Sequence, residues 1–267
     1  MRHLIGFLCV CALGLMPLIG CSETAGTGGS GGSAGDGGTG GMGGDGGSGG
    51  MGGTVEFSLT TYEGDGWELG PPLEGVEVCE TGTSNCTTSD VNGQARLSLP
   101  ANREISYTLM KEGHMPWIAG DVTDETFQHE GLPTLPMYPN EQIADFAQSN
   151  MIPYPLTGGA LLFHMNPLRT AGLTYDLVDE MARQYYSDMD EDQVRIFRFD
   201  LTATTSDGFG GFFEVPPGDH QVEFGGVATN CTVALAWPGD APNRVQVPVK
   251  VGFFTLASMN CDVQQTQ

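Results

Sequence analysis

The residues best suited to chemistry form one short acidic run. Asp188, Asp190 and Asp192 alternate with other residues, and a D-x-D-x-D run offers carboxylate oxygens at the first, third and fifth positions of a calcium loop. Gln193 and Phe199 stand where an EF-hand loop has its glycine and its bidentate glutamate. The run therefore leaves two interpretations, a calcium site on an irregular loop or a solvated acidic loop, and no other cofactor is predicted.

The other titratable and nucleophilic residues form no catalytic motif. The histidines beyond the N-terminal leader lack the HxH and HExxH spacings of zinc enzymes; they are His114, His129, His164 and His220. The part of the chain expected to fold contains no G-x-S-x-G sequence of a serine hydrolase. Paired glycosidase carboxylates are set by spatial rather than sequence distance, so a cryptic hydrolase stays open as an alternative. We predict no catalytic residue and a protein that is not an enzyme.

Aromatic residues offer a third chemistry, because a ring with a polar edge can stack on a sugar. The rings that could do so, if they do not simply fill the core, belong to Tyr62, Trp67, Trp117, Tyr154, Tyr185, Tyr186 and Trp237. Adjacent strand residues point to opposite faces, so we expect one ring of the pair Tyr185 and Tyr186 to face solvent. Carbohydrate binding at the cell surface is therefore an alternative function.

The cysteines divide into two groups along the chain. Cys9 and Cys11 lie in an apolar leader, whereas Cys79, Cys86, Cys231 and Cys261 lie in the part expected to fold. An even number of cysteines in an exported protein predicts two disulfides. Of the three pairings, two local ones, Cys79–Cys86 and Cys231–Cys261, are favoured if the chain has two domains. A zinc site of four thiolates is a rival interpretation, although close CxxC pairs are missing.

The N-terminus reads as an export signal. A short basic segment precedes an apolar stretch, which predicts a signal peptide over residues 1–20. The sequence Leu18-Ile19-Gly20-Cys21 resembles a bacterial lipobox. This resemblance implies cleavage before Cys21 and its acylation, with chains such as palmitate that anchor the protein stably in a membrane. Ser22, rather than aspartate, implies the outer membrane under the enterobacterial sorting pattern and leaves the membrane face open.

A glycine-rich segment follows the anchor. The predicted linker covers residues 21–53; its residues 26–53 repeat Gly-Gly-x, and the segment Thr24–Gly53 holds 18 of the 41 glycines. Such a sequence has almost no side chain to bury, so burial cannot compensate for the conformational entropy that the chain would lose on folding. We predict a disordered tether with a root-mean-square span of roughly 30 Å.

The charge of the chain excludes two classes of partner. The chain has 33 acidic against 10 basic residues and a formal charge of −23. Binding to a nucleic-acid backbone, or to an anionic membrane through a basic face, needs a Lys/Arg surface that this composition does not supply. The predicted contacts are therefore the membrane, through the lipid anchor alone, and a polysaccharide or protein partner at the cell surface.

The remaining sequence alternates apolar and polar residues with a period of two, which predicts half-buried strands. Strands about ten residues apart with turn residues between them predict an all-β fold of two antiparallel β-sandwich modules, over residues 54–130 and 158–267. A proline-rich connector over residues 131–157 joins them. It contains a short predicted helix, Asn140–Asn150, with Asn140 as its N-cap.

One stretch of about 60 residues carries a family resemblance. The segments Pro71–Val78, Thr87–Pro100 and Ile105–His114 resemble a carboxypeptidase regulatory-like domain, a small transthyretin-like (prealbumin-like) β-sandwich. Thr202–Phe224 repeats its S-D-x-x-G turn between strands. The resemblance implies structural or binding modules without catalytic residues, and hence a surface lipoprotein with a structural, adhesive or partner-binding role.

Overall fold

Eighteen strands and one helix make up the part of the chain that the structure describes. The computed structural model describes residues 53–65, 68–124, 134–166, 169–178, 180–191 and 195–264, all within one compact unit. The predicted signal peptide, Cys21 and nearly all of the glycine-rich segment lie outside these residues. Among the described residues, no helix is long and apolar enough to span a membrane. The fold class is all-β, as predicted.

The first sheet has four strands, in the order β2-β1-β5, with β8 on β1 as well. Its strands are β1 (Thr54–Asp65), β2 (Glu68–Pro72), β5 (Gln94–Pro100) and β8 (Thr134–Met137). In β5 the residues Ala95, Leu97 and Leu99 are buried and the residues between them are exposed. The predicted alternation is confirmed here, because one face of this sheet covers a core and the other faces solvent.

The second sheet has ten strands, in the order β12-β11-β13-β9-β18-β7-β6-β3-β4, with β15 also on β18. The strands of its first half are β3 (Glu77–Glu80), β4 (Cys86–Thr88), β6 (Arg103–Met110) and β7 (Trp117–Thr123). Those of its second half are β9 (Gly159–Asn166), β11 (Arg183–Met189), β12 (Arg195–Arg198), β13 (Phe209–Val215), β15 (Ala228–Leu235) and β18 (Phe254–Val263).

The third sheet has the order β10-β14-β17-β16. Its strands are β10 (Leu173–Leu177), β14 (Gly218–Gly226), β16 (Trp237–Pro238) and β17 (Arg244–Val249). Every pairing within this sheet is antiparallel. The predicted repeat in Thr202–Phe224 thus becomes β13 and most of β14, which belong to different sheets.

Two hydrophobic cores share the strands of the large sheet. Tyr185 and Phe213 belong to the core that includes the first sheet, whereas their neighbours Tyr186 and Phe212 belong to the core that includes the third sheet. Both tyrosine rings are 1 % exposed. The expectation that one of these rings faces solvent is therefore wrong, because this part of the sheet is covered on both faces.

Strand β18, near the C-terminus, joins the two halves of the chain. It runs parallel to β7 of the first half, where Phe254 pairs with Trp117, and parallel to β9 of the second half, where Phe254 pairs with Ala160. Strand β8 is also parallel to β1. These parallel pairings were not expected from the antiparallel pattern of neighbouring segments. The division into modules at residues 54–130, 131–157 and 158–267 stays a prediction.

Helix α1 covers Asn140–Ser149, close to its predicted extent. Ile143 and Ala147 are buried on one face, and the Phe146 ring packs on Phe197 and Phe213. The predicted N-cap is one residue too late: Pro139 holds that position, and its carbonyl oxygen accepts the Ile143 N–H at 3.2 Å. A proline ahead of the first turn suits this place, because its fixed φ is compatible with helix entry.

Candidate functional site

A cavity of about 450 Å³ opens between strands of the first and second sheets. This volume lies in the range of small-molecule sites. Eight of its described lining residues are apolar or aromatic: Leu69, Trp117, Pro136, Tyr138, Leu162, Phe197, Phe209 and Leu256. The four polar ones are Thr134, His164, Arg169 and Arg195. The cavity is the best-formed candidate for a binding site in the described part of the chain.

Strand pairing brings these residues together from distant parts of the sequence. Leu162 and Leu256 are register partners on β9 and β18, and Phe209 on β13 is the partner of His164 on β9. The ring centroids of His164 and Phe209 are 5.7 Å apart. On β7 of the same sheet, the ring of Trp117 lies 6.2 Å from that of Tyr138, the residue after β8. The aromatic walls are thus built on neighbouring strands rather than on a loop.

Two polar atoms of the lining residues have no hydrogen-bond partner. They are Nδ1 of His164 and the indole Nε1 of Trp117, and both are buried. Burial lowers the pKa of His164 to about 4, so its imidazole is neutral near pH 7. A neutral histidine and an indole can offer hydrogen bonds without placing charge in the apolar interior.

The two arginines of the cavity differ in their surroundings. Arg195 donates to both carboxylate oxygens of Asp207, at 2.6 and 2.9 Å, and its guanidinium lies 4.7 Å from the centre of the Phe209 ring. Arg169 has a left-handed backbone (φ 63°) and an exposed side chain, and it makes no ion pair with any described residue. Asp207 neutralises the charge of Arg195, so Arg169 carries the remaining charge of the described lining.

The acidic run is only partly described. The Asp188 carboxylate accepts the Met189 N–H at 2.9 Å and lies 3.7 Å from Nη1 of Arg198, whereas Asp190 is half-buried. Asp192 lies outside the described residues. The two interpretations of the run, a calcium site at Asp188, Asp190 and Asp192 or a solvated acidic loop, are therefore both untested by the described residues.

All four cysteines predicted to pair do so. The disulfides Cys79–Cys86 and Cys231–Cys261 close loops with sequence separations of 7 and 30. The pairing favoured from the sequence is confirmed, and the rival zinc site is wrong because the disulfides consume its thiolates. Within the described residues, the one group of three potential metal ligands contains the first disulfide together with Glu77.

The described histidines are held separately. Nε2 of His114 lies 2.9 Å from a carboxylate oxygen of Glu63, and Nε2 of His220 lies 2.8 Å from the carbonyl oxygen of Pro216. His129 is outside the described residues. Where the chain is described, no histidine ring is hydrogen-bonded to a serine, threonine or cysteine side chain, so no nucleophile–base pair is formed there.

The S-D-x-x-G turns have different roles. The Asp90 carboxylate accepts the N–H groups of Gln94 and Asn92, which lowers its pKa, and Gly93 has a positive φ of 73°. This turn is structural, as the sequence indicates. Asp207, in the second such turn, is buried against Arg195. Sequence reasoning missed that ion pair, since nothing local links the two residues.

The aromatic residues proposed for sugar stacking are mostly inside the fold. Trp117, Tyr185 and Tyr186 are buried. Trp237 is half-buried and donates from its indole nitrogen to the Ile105 carbonyl at 2.6 Å. Tyr62 is half-buried, Tyr154 is exposed, and Trp67 lies outside the described residues. The described rings therefore form no stacking surface of the kind that the sequence allows.

No known protein-family model matches the sequence, and no curated protein matches it significantly. Among solved structures, the fold is compared with GBS52, the minor pilin of Streptococcus agalactiae (11 % identity, 79 % of this chain and 97 % of that chain, TM-score 0.26). The Bacillus anthracis TIE protein gives 10 % identity, 79 % and 34 % coverage and a TM-score of 0.25. The shaft pilin SpaA of Lactobacillus rhamnosus GG has 11 % identity, with 80 % of this chain and all of that chain covered and a TM-score of 0.22. Likeness at this level carries no argument about function.

Proposed function

We propose that the protein is a non-catalytic lipoprotein, anchored in the outer membrane by acylated Cys21, which displays its β-sheet body for a structural, adhesive or partner-binding role. The observation that carries the proposal is the cysteine pairing. Four cysteines pair among themselves in the body. Once residues 1–20 are removed, every other cysteine of the chain is in a disulfide, so Cys21 has no cysteine to pair with.

The chemistry of the two cysteine groups agrees with this role. Disulfides persist in oxidising compartments, so a body with two of them fits an exported protein. A cysteine directly after an apolar leader fits acylation, and two or more acyl chains hold a protein on a membrane where one would not. The glycine-rich segment between them supplies a spacer of roughly 30 Å.

The non-catalytic part of the proposal is supported by the site geometry. The described histidines contact a carboxylate, a carbonyl oxygen or no partner, rather than a nucleophile. The described residues that line the cavity include no carboxylate, so the paired acids of a glycosidase are missing from this part of its walls. Polysaccharide binding stays an alternative, to be tested on glycan arrays, where retention of the protein on any matrix glycan would favour it.

Metabolic labelling with palmitate tests the anchor. We expect label in the wild-type chain and membrane fractionation of the protein, with both lost in Cys21→Ala. The matched control is the pair Cys231→Ala and Cys261→Ala, which removes two cysteines from the body and should keep the label. Membrane association of unlabelled Cys21→Ala protein at the wild-type level would overturn the anchoring proposal.

Protease treatment of intact cells tests display. A surface-facing body would be cut in intact cells, and a periplasmic one only after the outer membrane is opened. Disulfide-intact protein in both samples serves as the control, because it shows that the difference reports access rather than unfolding. Isolation of the chain from the inner membrane alone would contradict the outer-membrane assignment.

A further inference from the structure

We propose that the cavity between β8, β9, β12 and β13 binds a small carboxylate with an apolar body. This inference is independent of the anchoring proposal, because it rests only on described residues of the folded body. It is carried by the composition of the described cavity wall, by one arginine that makes no ion pair with a described residue and by two lining residues whose buried polar atoms have no hydrogen bond.

The wall selects first for an apolar ligand body. Eight of the twelve described lining residues are apolar or aromatic. Phe209 and Leu162 are half-buried on neighbouring strands of the large sheet, so part of each side chain is open to the cavity. Covering such surface is favourable by roughly 25 cal/mol per Å².

The wall selects next for negative charge. The chain carries 33 acidic residues against 10 basic ones. Around this cavity the balance is reversed, since the described lining includes Arg169 and Arg195 and no acid. Asp207 neutralises Arg195 through two hydrogen bonds, which leaves Arg169 as the charge available to a ligand. An arginine fork matches a carboxylate in shape, and such charge-assisted bonds are among the stronger ones.

Two residues that line the cavity each have a buried polar atom without a hydrogen bond. Buried polar groups are nearly always hydrogen-bonded, and an exception in a native fold asks for an explanation. Here two exceptions, Nε1 of the 1 %-exposed Trp117 and Nδ1 of His164, belong to residues of one cavity wall. A carboxylate supplies acceptor oxygens, which an indole N–H needs because it can only donate.

Isothermal titration of the full acylated chain in detergent micelles tests the proposal. Three probes are used, 2-naphthoate, decanoate and the uncharged 2-naphthamide, each corrected by titration into protein-free micelles. We expect saturable 1:1 binding of at least one carboxylate and binding of the amide that is weaker by about tenfold. The two carboxylates distinguish an aromatic from an acyl ligand body.

The variant Arg169→Gln removes the charge and keeps a side chain of similar length at an exposed position. It should weaken the carboxylate by about tenfold and leave the amide unchanged. The matched control is Arg96→Gln, an exposed arginine on β5 whose ion pair with Glu56 is long, at 3.7 Å; it should bind as the wild type does. A second variant, Leu162→Phe, fills the cavity from a half-buried position and should weaken all bound probes.

The proposal is overturned by either of two results. One is the absence of saturable binding of both carboxylates to wild-type protein whose melting temperature confirms its folding. The other is equal binding of carboxylate and amide, or of carboxylate to wild type and Arg169→Gln. If 2-naphthoate binds and decanoate does not, the ligand body is aromatic, and the converse result assigns an acyl chain.

Discussion

Arg195 and Asp207 form the most buried ion pair of the described fold. The Nε and Nη2 atoms of Arg195 donate to the two carboxylate oxygens at 2.6 and 2.9 Å, and the Asp207 side chain is 1 % exposed. The pair ties β12, at the edge of the large sheet, to the turn that precedes β13. The same arginine lines the cavity, so the pair also holds one of its walls.

Asp207→Asn should destabilise the protein by about 3 kcal/mol, because it leaves a largely buried guanidinium without its counter-ion. Urea unfolding followed by circular dichroism measures the change. The control is Asp200→Asn, which breaks the pair of Asp200 with Arg198 at a position that is 68 % exposed, and it should have little effect. Equal stability of the two variants would show that the buried pair is not a structural contact.

Gly211→Ala should destabilise the fold by about 3 kcal/mol, because there is no space for a methyl group between β13 and β9. A Cβ at this position would lie 1.9 Å from the carbonyl oxygen of Leu161 and 2.7 Å from the hydroxyl of Tyr185. That hydroxyl donates to the same carbonyl at 3.0 Å. Thermal melting checks the effect, with Gly53→Ala as the control, since nothing lies within 4 Å of a Cβ there. A melting temperature shared by both variants would contradict this prediction.

The two disulfides should differ in how much they stabilise the protein. Loop entropy assigns about 3.5 kcal/mol to Cys231–Cys261, whose sequence separation is 30, and about 2.5 kcal/mol to Cys79–Cys86, whose separation is 7. Double alanine variants of each pair, compared in urea, measure the two contributions. A larger loss for the Cys79–Cys86 pair would show that factors other than loop closure dominate.

His164 should make the protein less stable in acid. Its pKa is about 4 in the folded protein, against 6.5 for a solvent-exposed histidine, so between these values the unfolded chain binds the proton and the folded chain does not. Stability therefore falls as pH drops from about 6.5 towards 4, by about 2–3 kcal/mol at pH 4.5. Urea unfolding of wild type and His164→Gln at pH 7 and 4.5 isolates the contribution, because the many carboxylates are common to both. If the difference in unfolding free energy between wild type and His164→Gln is the same at pH 7 and at pH 4.5, the ring is not buried in its neutral form.

Calcium should leave the melting temperature unchanged to within about 1 °C relative to EDTA. The physical reason is that the Asp188 carboxylate already accepts a backbone N–H and faces Arg198, which competes with a cation. Differential scanning fluorimetry of wild type and Asp190→Asn makes the comparison. A calcium-dependent rise in wild type that is lost in Asp190→Asn would instead support the calcium interpretation of the acidic run.

Much of the local structure could be predicted from particular residues. Ala95, Leu97 and Leu99 alternate with polar residues and form one buried face of β5. The predicted start of the helix, Asn140, is correct, but the predicted N-cap is one residue late. Pro139 is the N-cap although it has no side chain that could cap the helix, so the sequence carries no capping signal there. The cysteine pairs followed from the expectation of two domains, which favours the two local pairings among the three possible arrangements.

The candidate site was less accessible to such reasoning. In the sequence, His164 is only a histidine without a metal-binding spacing, and no motif or periodicity marks Arg169 or Arg195 as part of a site. Their proximity depends on β9 lying between β13 and β18. A contact between segments far apart in sequence leaves no periodicity in either of them.

By itself, the sequence determined the all-β class, the apolar leader, the four body cysteines and the places of the main turns, because each depends on residues close together in the chain. Only the tertiary structure decided that β18 runs parallel to both β7 and β9 and that Tyr185 and Tyr186 are both buried. It also decided that, among the described residues of an acidic protein, the charged side chains that line one cavity are both arginines. The physical reason is that strand alternation specifies which side chains share a face, whereas the partner that covers this face is selected by packing across the whole fold.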